Sequence, residues 1–475
     1  MPAPIPAPET LYTPRPAPPS LEALAKSPLR RKVYVFRNIL RTSRNFLNLY
    51  HPEIAGKRWM VNWLRDEQVV SINDPDLARH VLQTNADNYV KGRFYEIIFG
   101  AFLGKSSLTM EHEAWRTRRR LISPAFNARA MRGVEHVVEK HVEAMLARWD
   151  AAAEAGREVD LSADAAELTM RIAMEAFFSA DMGADPARIA RLMEGVITDS
   201  GTVDFADVLQ LPKWFPRRSR KQAFEWLAEL DAWLFALVDR RLEARGTGEP
   251  ESPDLLDILV HARDEETGEL LDRQAIRNEV FTLFAAGHET TALSLAWGLD
   301  RLAREPAWQE RLAEAAGAAQ AEAGHPLTAA EARAVALLPA AYDEMLRLYP
   351  PAFSIGRTAL AADRFEDLEI APGARIQIAI HHMHRNPRHW PEPGKFDPTR
   401  FLPAGRAGRH PFAHIPFGGG PRICVGLALA RLEGLMALAR MLPRFRLEAV
   451  GAPPDPLGKI TLRTEAPVML RVSRR

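Results

Sequence analysis

The stretch Val280 to Leu299, VFTLFAAGHETTALSLAWGL, runs for twenty residues with a single formally charged side chain, Glu289, at its centre. An apolar helix of that length either spans a membrane or is covered by protein on every side. A carboxylate at mid-bilayer costs about 2.5 kcal/mol or more, and no second segment resembles this one, so the expectation is a helix buried in the middle of a soluble protein. The chain is large enough to cover it: 475 residues, 47% hydrophobic and 26% charged, provide an extensive core. Why a carboxylate sits inside such a helix is then the first chemical question.

Amphipathic helical patterning dominates elsewhere, as in Asp74 to Leu82 with Pro75 at the helix start, Val134 to Ala153, and Lys221 to Arg245. Strand-like stretches are few: Trp59 to Leu64, Val69 to Ile72, Ile376 to Ile380 and Val468 to Val472. The fold class is therefore mostly α with a minor β portion. The first twenty residues hold eight prolines and read as an extended segment without its own core. They lack the basic and apolar regions of a signal peptide, and the next thirty residues are too charged for an anchor, so a cytoplasmic location is expected. The loop signal Gly248 to Asp254 has flanks of like composition and marks no domain boundary. A net charge of +1 gives no global basic field, which argues against nucleic acid as a partner.

Cys424 is the one cysteine, which excludes internal disulfides and every CxxC motif. It lies in FGGGPRICVG, Phe417 to Gly426, ahead of the helical run Val425 to Leu442. Glycines and a proline specify a close-approaching loop, and free N–H groups at a helix start stabilise a thiolate. Taken alone, such a cysteine is more often a buried small apolar residue. In the central stretch, His288 and Glu289 begin a zinc HExxH motif, but residue 292 is Ala and the second histidine is missing. The Thr290 hydroxyl can bond back to the carbonyl of Ala286, opening a local bend. Glu344 and Arg347 form an ExxR pair on one helix face, and Trp115 and Arg119 a WxxxR pair.

Phe417, Gly420, Arg422, Cys424 and Gly426 match FxxGxRxCxG, the haem-ligand loop of the cytochrome P450 superfamily, which the chain resembles from about residue 21 to its end. AGHETT, Ala286 to Thr291, is similar to that family's oxygen-activation motif, and FDPTRF, Phe396 to Phe401, to its FxPxRF segment. The resemblance implies a Pro-rich segment over 1–20 and a single cytochrome P450 domain over 21–475, with haem b between the central helix and the cysteine helix. It implies Cys424 as the iron ligand, with Phe417 beside it and Gly420 and Gly426 letting the backbone approach sulfur and porphyrin. Trp115, Arg119, Arg357 and Arg422 would hold the propionates. Ala286 and Gly287 would flank the oxygen site, Thr290 would hydrogen-bond oxygen, and Glu289 would relay protons. Glu344, Arg347 and Arg400 would form a buried structural triad.

The implied activity is monooxygenation: hydroxylation of an apolar small molecule (fatty acid, terpenoid, steroid or aromatic) with O2. Only 51 residues follow Cys424, too few for a fused flavin reductase, so electrons are expected from a ferredoxin- or flavodoxin-type donor with its reductase. Arg116, Arg118 and Arg120 are a candidate basic docking patch. Phe281, Phe284, Ala285, Phe353, Ile355 and the turn near Thr464 are candidate pocket residues, and helices near 190–230 a candidate lid. His381, His382 and His384 match no metal cage and read as structural. A haem-thiolate peroxygenase or isomerase, or a non-catalytic haem sensor, are the alternatives; the Glu289-Thr290 pair argues against the first two, and a sensor leaves Glu289 unexplained.

Overall fold

The computed structural model describes residues 41–42, 44–64, 66–179, 186–200, 221–245, 253–264 and 266–475. The Pro-rich segment and much of the expected lid lie outside these residues.

The central apolar stretch belongs to a 31-residue helix, Arg273–Ala303, capped by Asp272, whose side chain accepts from the Ala275 N–H at 2.6 Å. Most of its residues are buried all round, as a helix without a polar stripe requires. The helices Leu161–Phe178, Lys221–Ala244, Leu337–Leu348 and Leu427–Met441 pack against it. The helix Ala128–Glu154 closes a second layer. Among the described residues no helix is long and apolar enough to cross a membrane, because Glu289 and flanking charges interrupt the one candidate.

Twelve strands are found among the described residues, more than the sequence pattern suggests. A five-stranded sheet has the order β1 (Trp59–Leu64), β2 (Glu67–Ile72), β8 (Arg375–Ile378), β5 (Ile355–Ala359), β3 (Tyr89–Val90). Only the β2–β8 pairing is parallel. Strands β4 (Glu158–Asp160), β12 (Met469–Arg474) and β9 (Phe445–Ala449) make a second sheet, and the hairpins β6–β7 (Asp363–Phe365, Leu368–Ile370) and β10–β11 (Pro456–Gly458, Leu462–Thr464) complete the set. Strands of two to five residues carry too little alternation to stand out from loops.

Two boundaries move for local reasons. The helix expected over Asp74 to Leu82 ends at Arg79, and His80–Thr84 follow as one wide turn closed by the Asn85 N–H on the His80 carbonyl at 2.8 Å. The strand expected to Ile380 stops at Ile378, and Ile380–Met383 form a helical turn. That turn buries the histidines. His384 accepts the Ile415 N–H on Nε2 at 2.9 Å, and burial pushes its ring down to about 3. No cluster of three metal-ligating side chains occurs among the described residues.

Candidate functional site

The cysteine loop is set by what its glycines touch. Gly420 has φ +68°, and a Cβ there would lie 1.8 Å from the carbonyl oxygen of Leu82 in the wide turn. Gly420 therefore packs loop against backbone rather than against sulfur. Gly426 is different: its Cβ would stand 3.9 Å from Cys424 Sγ, an ordinary contact, and the residue serves as N-cap of the helix Leu427–Met441. The Cys424 N–H donates to the Phe417 carbonyl at 3.0 Å, folding the loop back on itself. Cys424 keeps accessible surface, although protein surrounds it closely enough for burial to push its thiol up. The Gly426 and Leu427 N–H groups and the nearby Arg119 guanidinium pull the other way. A thiolate would be held by those three donors, and a bound cation would reverse the burial penalty.

Beside the loop, positive charge accumulates. Arg422 donates to the Met110 carbonyl at 3.0 Å, pairs with Glu111, and lies 4.3 Å over the Trp115 ring. Burial lowers it to about 10. Arg357, on β5, is buried and lowered by that burial; its Nη1 donates to the Gly356 carbonyl at 2.8 Å. A cation absent from the sequence expectations joins them. Lys91 is buried, its ammonium bonded to the Leu108 carbonyl, and burial followed by the charges of Arg422 and Arg357 holds it well below its ordinary value. Its own N–H donates to Glu111 at 2.7 Å. Lys91 carries no motif; only the pairing of β3 with β5 places it here. A cavity of about 60 Å³ lies among Trp115, Glu111, Arg357 and Arg422.

On the central helix, Ala286 is exposed and Thr290 half-buried, although the turns on either side are mostly buried. The Thr290 hydroxyl donates to the Ala286 carbonyl at 2.9 Å, as its spacing predicts. Gly287 faces Phe177. Glu289 points elsewhere: its Oε1 accepts from Thr461 Oγ1 at 2.9 Å and Arg463 Nε at 2.7 Å. It borders a cleft of about 730 Å³ shared with Arg171, Arg191, Glu194 and Thr464.

The expected pocket residues are largely elsewhere. At 100° per residue Phe281 and Phe284 lie roughly half a turn from Ala286. Phe284 packs on Phe178 and Trp233, with ring centroids 5.6 and 6.5 Å away, and Phe281 under Arg277 at 4.8 Å. Ala285 packs into the same core, and Phe353 is buried. Ile355 meets the cysteine loop, 3.4 Å from where a Gly418 Cβ would be. Thr464 lines the Glu289 cleft. These aromatics hold the central helix in place because its faces away from Ala286 and Thr290 also have to be covered.

The arginine patch is also revised. Arg118 is half-buried against the buried Glu279 at 3.5 Å, Arg116 pairs with Asp87 and Glu113, and Arg120 with Asp264 and Glu266. Each is paired with a carboxylate, Arg116 and Arg120 at the surface and Arg118 against a buried one.

The triad assembles unequally. Arg347, fully buried, places all five N–H groups: two on Glu344 at 2.6 and 2.8 Å, and three on the carbonyls of His384, Pro393 and Lys395 at 2.8 to 3.1 Å. Arg400 stands 3.5 Å from Glu344, and its Nε has no hydrogen-bond partner.

The family model for cytochrome P450 matches residues 28–472. The chain belongs to the cytochrome P450 family. It is 29% identical to cyclooctatin synthase of Streptomyces melanosporofaciens over 79% of this chain and 80% of that protein. It is 30% identical to putative cytochrome P450 138 of Mycobacterium tuberculosis over 84% of each. The crystal structure of the cytochrome P450DA heme domain superposes with a TM-score of 0.78 at 24% identity, covering 90% of this chain and 93% of that one. Members of this P450 family are monooxygenases that bind haem b through a cysteine thiolate. The residues present suit that group: a tetrapyrrole with two carboxylates needs cations and a thiolate, and Lys91, Arg357 and Arg422 surround one carboxylate, Glu111, while Arg119 lies by Cys424.

Proposed function

We propose that this P450 hydroxylates an apolar small molecule of the fatty acid, terpenoid, steroid or aromatic class, drawing electrons from a separate ferredoxin- or flavodoxin-type donor and its reductase. The observation that carries the reading is the accessible Cys424 beside a cation-rich cluster, with the oxygen motif presenting Ala286 and Thr290 on its own accessible face.

In this reading Cys424 ligates the iron, Phe417 packs beside it, and Arg119, Arg357, Arg422, Trp115 and Lys91 hold the propionates. When bound, the haem supplies reductive activation of dioxygen, which the thiolate favours by pushing electron density onto iron. The Thr290 hydroxyl spends its proton on the Ala286 carbonyl and keeps its lone pairs free, so it can accept and hold a proton on the accessible side of the helix. Glu289 lines the cleft and directly precedes Thr290 in the chain, so protons would enter from the cleft side, and the carboxylate would have to leave Arg463 to carry one inward. Ala286 and Gly287 add no polar group, which suits an apolar substrate.

For the donor, Ile423 is exposed beside Cys424. Nearby, Arg406 and Arg431 share one carboxylate, Asp343, while Arg409 stacks on Trp390 and Phe401. This edge carries surplus positive charge that fits an acidic donor better than the arginines of the helix His112–Ile122 do.

The test is spectroscopic first. The reduced carbon-monoxide complex should show a thiolate-type band that Cys424→Ala abolishes; a histidine-type band in the intact protein would sink the assignment. A panel of the four ligand classes should then give a high-spin shift and, with donor and reductase, hydroxylated product. Charge reversal at Arg406 and Arg409 should slow reduction in a salt-dependent way.

A further inference from the structure

The helix His112–Ile122 starts on a residue whose side chain does not cap it. Glu111, at the N-cap, has the extended backbone of a capping residue (φ −125°, ψ 166°), yet its carboxylate makes no bond to the first turn. The next residue, His112, is exposed and has φ +49°, a left-handed conformation that a side chain resists unless neighbouring bonds impose it. Those bonds run from Glu111 away from the helix. One carboxylate oxygen accepts the Lys91 N–H at 2.7 Å, and the other pairs with Arg422. Both side chains of that pair are largely buried, 24% and 14% exposed, so salt screens it weakly.

Both terminal nitrogens of Arg422 are engaged. Nη1 donates to the Met110 carbonyl at 3.0 Å and Nη2 to Glu111, while the guanidinium lies over the Trp115 ring. Glu111, Trp115, Arg357 and Arg422 line one small cavity; Asp87, which also borders it, is exposed and pairs with Arg116. Glu111 thus faces the same space as the cations assigned to the propionates. A propionate reaching Arg422 must share the guanidinium with Glu111, two like charges on one cation, or displace it. Glu111 has a second place to go: the uncapped first turn of its own helix, where free N–H groups and the helix dipole favour an anion. We propose that Glu111 is a positioning residue that acts as a haem latch, exchanging between Arg422 and the N-terminus of the helix His112–Ile122, so that it yields Arg422 to a propionate and reclaims it as haem leaves. The strained His112 is the hinge of that exchange. This inference rests on the reading of Arg422 as a propionate ligand.

The experiment follows loss of haem from ferric holoenzyme of the full chain to excess apo-globin, at one pH and ionic strength. Glu111→Gln leaves Arg422 to the propionate, so haem loss should slow about tenfold, the factor that one charge-assisted hydrogen bond sets. Glu111→Asp, one methylene shorter and the better N-cap, should slow it about threefold. In an Arg422→Met background the Gln substitution should change nothing, because the competition runs through that guanidinium. The thiolate-type carbon-monoxide band should be the same in every variant. A residue that only braces the cluster predicts the opposite sign. Faster haem loss in Glu111→Gln, an unchanged rate, or equal slowing in the Arg422→Met background overturns the proposal; if the Gln variant fails to fold, Glu111→Asp carries the test with the same signs. A histidine-type band in wild type, or an Arg422→Met variant that loses haem no faster than wild type, removes the reading of the site and the latch with it, whereas a thiolate-type band with faster loss in Glu111→Gln removes the latch alone.

Discussion

Arg347 and Arg400 both belong to the buried Glu344 cluster, yet their removal should have very different consequences. In Arg347→Met, Glu344 keeps its place in the core but loses its two-point partner, at a cost of about 3 to 5 kcal/mol for an uncompensated buried charge. The carbonyls of His384, Pro393 and Lys395 lose their donors as well, each worth about 0.5 to 1.5 kcal/mol. The sum, roughly 4.5 to 9.5 kcal/mol, approaches or exceeds the entire stability of many domains. Little folded protein should be recovered. Arg400→Met removes a charge 3.5 Å away that makes no hydrogen bond to Glu344, and one bond to the Glu392 carbonyl at an exposed site; about 1 to 2 kcal/mol is expected. Denaturant unfolding, followed together with haem absorbance and far-UV circular dichroism, reads both quantities. Pairing Arg347→Met with Glu344→Gln should recover about 2 to 3 kcal/mol of the loss, because the buried anion disappears with its partner. The reasoning is refuted if Arg400→Met is as damaging as Arg347→Met, or if the two substitutions at Glu344 and Arg347 simply add.

The glycines of the cysteine loop should separate in the same way: Gly420→Ala, driven into the Leu82 carbonyl at positive φ, should lose most thiolate-type haem, whereas Gly426→Ala should cost about 1 kcal/mol or less; carbon-monoxide spectra and unfolding midpoints would show the order, and the reverse order would contradict the packing. Lys91→Met should weaken haem retention about tenfold without altering the thiolate-type band, measured by transfer to an apo-globin acceptor, since a charge-assisted bond to a propionate is worth about 1.5 kcal/mol. The stability of the protein should also depend on Glu433. Its folded value, about 8, lies above the unfolded carboxyl's ~4.3, so its contribution is fully present below ~4.3, is lost as pH rises to about 8, and is level beyond, with a ceiling of roughly 5 kcal/mol. Unfolding midpoints of Glu433→Gln should therefore gain on wild type from pH 5 to 8; parallel curves would show that the carboxyl is not held neutral.

Much of the site was legible because its chemistry is local in sequence. Cys424 with its glycines, and Ala286 with Thr290, are built within one loop and one helical turn, so residue type and spacing suffice. Glu344 and Arg347 share a helix face for the same reason. What the sequence hid is long-range. Lys91 joins Arg357 and Arg422 through a two-residue strand pair, and Arg463 reaches Glu289 from a hairpin near the C-terminus. The arginines at 116 and 120 do keep solvent exposure, but the acids that pair with Arg118 and Arg120 lie up to 161 residues away. Phe281 and Phe284 misled differently. Both precede the oxygen motif in the chain, yet a helix turns successive residues through 100°, so neighbours in sequence can face opposite sides.

The apolar helix with a carboxylate at its centre is accounted for by how the helix divides its polar atoms. It has no polar stripe because it never meets bulk solvent along one face; each polar group instead answers to a different neighbour. Glu289 turns to Arg463 and Thr461 and the cleft beyond them, Thr290 to its own backbone on the side where Ala286 is accessible, and Thr291 to the Gly287 carbonyl one turn earlier. Three successive residues, 100° apart, thus answer to a hairpin near the C-terminus, to the accessible side of the helix and to the helix's own preceding turn. A longer polar run would leave groups unpaired in the core, and a shorter one would leave one of the three connections unmade.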